Sequence, residues 1–318
     1  MCRTFNKNQL ALILAFLVFI FTTCAEKENE KLTRELKEFI AKYEQKIIPL
    51  QEKYNTASYL ASISGSEEEY KTAMDLNIML SRIYSNKEDY EQLKRIRSSK
   101  LIQDTLLSRQ LEVLYNLYLP YQIDEQNLIE ILTLENEIKR EYLTFRPVIN
   151  DKEVSDNQIE LILKTSKDTI ELEKYWRGSK KIGRLIDQKL IKLVKLRNDA
   201  AKKLNFNNYY EMMLFINGQE PKEIENIFDD LDVLTAGPYE GLKEQIDEYL
   251  AQRFKIPKEQ LKPWHYQNRY FQKAPVIFNI DFDKYYKSKN FVALAGEYFK
   301  GIGLDISPVY ENSDLFEK

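Results

Sequence analysis

Residues 186–205, IDQKLIKLVKLRNDAAKKLN, decide the fold. Leu190, Leu193, Val194, Leu196, Ala200 and Leu204 recur three and four residues apart, with Lys, Arg, Asn and Asp between them. That is the period of an amphipathic helix, one face apolar and the other solvated. Asn205 follows the last apolar position and tolerates the left-handed conformation that ends helices.

The same reading extends in both directions. Leu32, Leu36, Phe39, Ile40, Tyr43 and Ile47 repeat at helical spacing, and Pro49 follows them. Ser66 with Glu69 spells a capping box, opening a helix to about Tyr84. Asn86 is placed to cap the next helix, and residues 101–119 make a long one ended by Pro120. Asp124 opens another through Tyr142. Ser155 with Gln158 is a second capping box, leading into residues 159–175. Pro221 suits a first helical turn, and Gly237-Pro238 is expected to break that helix before residues 239–254. A helix over residues 291–300 is expected to end at Gly301-Ile302-Gly303. Strand signals are scarce; Val276, Phe278, Ile280 and Phe282 alternate over residues 276–283. The expected fold is mainly α, with a little β near the C-terminal end.

The chain has 318 residues, enough for one large domain or two lobes. It is 43% hydrophobic and 31% charged, with only nine Gly and nine Pro, as suits a packed helical body. The formal charge is −3, which argues against a nucleic-acid partner, since that requires a basic face. Cys2 and Cys24 are the only cysteines, so a chain beginning at Cys24 can form no internal disulfide.

Arg3 and Lys7 precede the apolar run 10–21 (LALILAFLVFIF), and Thr22, Thr23 and Cys24 follow it. A charged start, a short apolar core and a cleavage region make a secretory signal over residues 1–23. Twelve apolar residues fall short of the about 20 that cross a bilayer, which disfavours a retained anchor. Cys24 sits where bacterial lipoproteins carry their lipidated cysteine, though Thr22 and Thr23 depart from that motif. The expectation is an exported protein held by a lipid on Cys24, with an ordinary cleaved signal peptide as the alternative.

A zincin site needs two histidines one helical turn apart, with a Glu beside them as base. His265 is the sole histidine, so no HExxH motif exists here, and no body cysteine offers a thiolate site. A Ser-His centre would have to use His265, and no G-x-S-x-G elbow is present. Asp281 with Asp283 reads as a strand edge, Glu67–Glu69 as the charged first turn of a helix, and Lys180, Lys181 and Arg184 as a solvated face.

Residues 261–275 (LKPWHYQNRYFQKAP), 190–215 (LIKLVKLRNDAAKKLNFNNYYEMMLF) and 298–318 (YFKGIGLDISPVYENSDLFEK) resemble the angiotensin-converting-enzyme-like peptidyl-dipeptidases, and their bacterial branch in particular. The resemblance implies a helical, two-lobed zincin-type body around a deep cleft, and removal of C-terminal dipeptides from oligopeptides by a bound zinc. In that family a Trp-Ala-Gln stretch helps hold the peptide's C-terminal carboxylate. Here Trp264-His265-Tyr266 stands in its place, with Tyr266 where the Gln would be. The three are therefore substrate-cleft candidates, with a packed core histidine as the other reading of His265. Similar sequences reach HExxH shortly after a segment like residues 313–318. The expectation is thus an N-terminal helical lobe, residues 24–318, that lacks the zinc-binding half, binds no zinc and is inactive alone. A second reading is a split half-enzyme that complements a separate C-terminal half. The alternative is a non-enzymatic helical lipoprotein that binds peptides or a surface partner.

Overall fold

The computed structural model describes residues 7–277 and 283–315, with side chains over 26–277 and 284–315. It is almost wholly helical, as the periodicity requires. The helices are α1 (Lys7–Ser64), α2 (Glu67–Tyr84), α3 (Lys87–Ser99), α4 (Thr105–Tyr118), α5 (Glu125–Thr144) and α6 (Asp156–Thr165). They continue with α7 (Thr169–Lys203), α8 (Tyr209–Ile216), α9 (Pro221–Phe254), α10 (Asp283–Tyr286), α11 (Phe291–Gly301) and α12 (Ser307–Glu311). Two compact units are formed, one by residues up to Arg140 with Gln188–Asn226, the other by Glu141–Asp187 with residues from Ile227 onward.

In the first unit, α1, α3 and α4 close a core of Leu32, Leu36, Phe39, Leu93, Ile96, Leu107, Leu111, Leu114 and Tyr118. Leu36, Leu93, Ile96 and Tyr118 are completely buried. Tyrosines border this core: the Tyr43 and Tyr84 hydroxyls lie 3.0 Å apart, and the Tyr84 ring meets Tyr118 edge-on at 5.4 Å. A second cluster joins Ile131 and Leu134 of α5 to Leu193 and Ala200 of α7, which are members of the helical face that opened the sequence reading. Asn205 is left-handed at φ 68°, as expected at that helix end.

The second unit packs Ile159 and Leu163 of α6, Leu172 of α7, and Ile246, Leu250 and Phe254 of α9 around Ile149 and Val154. The capping box at its entrance is complete. Gln158 N–H donates to Ser155 Oγ at 3.3 Å, and Ser155 N–H donates to Gln158 Oε1 at 3.0 Å. The strands found, β1 (Val148–Ile149) and β2 (Lys152–Glu153), pair antiparallel in mid-chain, Val148 opposite Glu153. Asn150 and Asp151 turn between them at φ 54° and 60°, the paired left-handed geometry of a two-residue hairpin. Of the strand expected near the C-terminal end, Val276 and Ile277 have no regular structure and residues 278–282 lie outside the described residues.

Several helix boundaries depart from the sequence reading. Pro49 does not end α1, nor does Pro238 break α9; both lie inside their helices. Each removes one backbone donor, which helices of 58 and 34 residues absorb. The Ser66 box does not form, because Ser66 N–H turns to Ser64 Oγ at 2.9 Å and Glu69 accepts from that same hydroxyl. Thr105 rather than Leu101 starts α4, since Asp104 captures the Leu107 N–H at 2.8 Å. Residues 166–168 separate α6 from an unbroken α7, because Asp168 accepts from the Ile170 N–H at 2.9 Å and restarts the helix.

Residues 225–242 are exposed throughout, including Phe228, Val233, Leu234 and Tyr239. Among the described side chains of α10, α11 and α12 none is buried, and Phe291, Tyr298 and Val309 face solvent. No described helix is long and apolar enough to cross a membrane. The side chain of Cys24 lies outside those described, as does most of the leader.

Candidate functional site

All three cleft candidates fall in a short 3-10 turn, residues Pro263–Tyr266, of the second unit. Pro263 supplies the fixed φ that starts such a turn. Gln267 stops it in the left-handed conformation at φ 61°. The turn lies against the last part of α9, where Ile246, Leu250 and Phe254 form the apolar stripe.

His265 is packed, with only 1% of its surface exposed. Its ring lies 4.7 Å from that of Phe254 and 5.9 Å from that of Trp264. Nδ1 accepts the Lys262 backbone N–H at 2.8 Å, which places the proton of the neutral ring on Nε2. Burial, the largest influence, holds the imidazole below its ordinary pKa. The histidine is thus neutral and faces the core.

Trp264 is half-buried, with its ring 6.1 Å from Trp176 and under the Arg177 guanidinium at 5.3 Å. Tyr266 is the candidate that reaches a cavity. Tyr239, Leu242, Lys243, Ile246, Tyr266, Phe271 and residues 273–275 enclose about 330 Å³. The Tyr266 hydroxyl donates to Asp247 Oδ1 at 2.8 Å and accepts from Lys243 Nζ at 2.9 Å. Lys243 also grips both Asp247 oxygens at 2.6 Å. Burial opposes the Lys243 charge, but the hydrogen bonds to Asp247 and Tyr266 outweigh it and raise its pKa. Burial is the largest influence on Tyr266 and pushes its phenol up, so the hydroxyl stays protonated.

The residue types in this cavity define what it can hold. Lys273 lines it and makes no ion pair among the described residues. With Lys243 neutralised by Asp247, Lys273 adds one positive charge to a lining whose other residues are apolar or aromatic. That combination fits a carboxylate attached to an apolar group. The neighbouring cluster is also rich in donors. Trp176 Nε1, Trp264 Nε1 and His265 Nε2 are all buried without an acceptor.

Lys180 is no member of a solvated face. Its ammonium sits 4.0 Å from the Tyr270 ring centroid and 5.1 Å from that of Trp176, and it donates to the Arg269 carbonyl at 2.6 Å. Burial, then the charge of Arg269, lowers its pKa. Arg269 pairs with Asp156 and Glu160, each at 2.7 Å, and fixes the loop after the turn. Sequence reading missed Lys243, Asp247 and Lys273, and placed Lys180 on a solvated face. The four-residue spacing of Lys243 and Asp247 was a visible signal for one pair. The others depend on contacts between distant segments.

The donor set does not fit a zinc ion. The one histidine is buried with Nδ1 already engaged, and no three His, Cys, Asp or Glu side chains converge among the described residues. Glu67–Glu69 charge the exposed first turn of α2, where Glu67 meets Arg140 at 3.3 Å. The side chains of Asp281 and Asp283 lie outside those described. Residues 30–265 match the sequence model of the peptidase family described as angiotensin-converting enzyme. No curated protein matches the chain.

Proposed function

The chain belongs to the angiotensin-converting enzyme family of peptidases, and from that premise we propose that it supplies a peptide-binding wall and does not hydrolyse peptides by itself. The observation that carries the reading is the cavity lined by Tyr266 and Lys273, apolar or aromatic but for one net positive charge. A peptide can place its C-terminal carboxylate against the Lys273 ammonium and the Tyr266 edge, with its last side chain on Leu242, Ile246 and Phe271. Tyr266 takes the position of the glutamine that holds this carboxylate in similar sequences. Its one hydroxyl proton is held by Asp247, so the Lys273 ammonium is the donor to the carboxylate.

The hydrolytic step asks for a metal or a general base placed at the scissile bond. Among the described residues no metal-binding set is found, and His265 is directed into the core. The chemistry is therefore assigned to polypeptide that packs on this chain. The exposed apolar residues of α9 and of α11 support such packing, since a partner can cover them. The charged and apolar leader supports export, with Cys24 as the lipid-bearing residue.

The alternative, a peptide-binding lipoprotein with no enzymatic partner, uses the same cavity. A turnover assay separates either from an autonomous enzyme. Incubated with oligopeptides and zinc, the purified chain is expected to release no dipeptide. Release that a chelator abolishes would sink the proposal.

A further inference from the structure

Helix α9 carries an apolar row that is covered at one end and open at the other. Phe228, Leu231, Thr235, Tyr239, Leu242 and Ile246 follow one another three or four residues apart, so they share a face, and Leu250 continues it. Ile246 is 7% exposed and Leu250 not at all, both inside the core of the second unit. Phe228, by contrast, is 66% exposed, and Leu231, Tyr239 and Leu242 are open as well. Thr235 turns its hydroxyl back onto the Leu231 carbonyl at 2.7 Å, which satisfies its proton within the helix. The open stretch runs directly out of the Tyr266 cavity, because Tyr239, Leu242 and Ile246 line that cavity too. All of it belongs to the second unit.

A charged row lies beside the apolar one. Asp229, Asp232, Ala236, Glu240 and Lys243 repeat the same spacing one position further on. At the cavity that row ends on Lys243, whose charge Asp247 cancels. Beyond the cavity Asp229, Asp232 and Glu240 make no ion pair among the described residues. Asp230 adds a fourth acid, and residues 223–242 contain no Lys or Arg. The surface leading out of the cavity is therefore apolar along one line and anionic along the next.

Distance along the helix sets the length of what can lie there. Asp232 and Asp229 stand about 15 and 20 Å from Leu242 at a rise of about 1.5 Å per residue. An extended peptide covers about 3.3 Å per residue. With its last side chain at Leu242, its fifth or sixth residue from the C-terminus comes level with Asp232 and its seventh with Asp229, to within about one residue.

We propose, resting on peptide capture at Tyr266 and Lys273, that α9 selects oligopeptides carrying Lys or Arg at the fifth to seventh positions from their C-terminus. Asp229 and Asp232 attract those cations, and the row from Phe228 to Leu242 takes the apolar side chains near them. Ile227, Val233 and Leu234 lie off this row and stay open to the polypeptide that packs on the chain.

Calorimetric titration of the full chain with three free-acid octapeptides tests this. They share their last four residues and carry Lys, Ser or Glu at the fifth and seventh positions from the C-terminus. At low salt the lysine peptide is expected to bind about tenfold more tightly than the glutamate peptide, with serine between, and the gap should close at high salt. Asp229→Asn combined with Asp232→Asn, both at exposed positions, is expected to erase the gap. Equal affinity of the three peptides, or a gap that survives the double substitution, overturns the selection while carboxylate capture stands. A lysine peptide that binds equally well as free acid and as amide removes carboxylate capture, and the selection with it.

Discussion

His265 makes the stability of the second unit depend on pH in a direction that its burial dictates. The ring is neutral and 1% exposed in the fold, with its pKa held below the ordinary histidine value by burial. In the unfolded chain the same ring titrates near 6.5. Below that pH the unfolded chain takes up a proton that the fold refuses, so acidification favours unfolding. The contribution is intact above about pH 7 and is lost as pH falls through the unfolded value toward the folded one. One proton sets the slope, at most about 1.4 kcal/mol per pH unit. No other histidine exists to confuse the window. The assay is urea denaturation at pH 7.5, 6.5 and 5.5, followed by tryptophan fluorescence. Both tryptophans, Trp176 and Trp264, stand in the cluster beside His265, so the signal reports this unit. The comparison is His265→Asn, whose side-chain oxygen can still accept from the Lys262 N–H. This variant is expected to start about 1–3 kcal/mol less stable through lost ring packing, yet to lose much less on acidification. Equal losses in the two proteins between pH 7.5 and 5.5 would refute a buried, neutral histidine.

Ser155→Ala removes a complete capping box at α6 and should lower the stability of the same unit by about 1 kcal/mol, read as a shifted urea midpoint with unchanged slope. Arg269→Met leaves Asp156 and Glu160 without their shared cation. Discounted for the exposure of those carboxylates, the expected loss is about 1–3 kcal/mol in the same fluorescence assay, and it should shrink in high salt.

Legibility in the sequence tracked the range of the interaction that decides each feature. Ser155 with Gln158, Asn86 with Asp89, and Asn205 act within four residues, and each does in the structure what its neighbours announce. Ser66 failed because Ser64, two residues back, offered a competing hydroxyl. Pro238 was expected to break its helix, yet one missing donor and a local clash are small beside the hydrogen bonds of a 34-residue helix. Asn150-Asp151 was a hairpin signal, overlooked because its strands are only two residues long. At the site, the sequence pointed to the turn at Trp264-His265-Tyr266 but not to how its side chains divide. Tyr266 meets the cavity and His265 meets the core because Phe254 and the Lys262 N–H claim the imidazole. Lys180 is set by Arg269 and Tyr270, some ninety residues away, and Trp176, four residues back, is its one local partner in the ring contacts described.

The most direct test of peptide capture at Tyr266 and Lys273 is a calorimetric titration of the chain with one oligopeptide in free-acid and C-terminally amidated forms. The account predicts that the free acid binds without added metal and that the amide binds about tenfold or more weakly. It also predicts that Lys273→Ala erases the difference. Equal binding of the two forms, or a difference that survives Lys273→Ala, would contradict it.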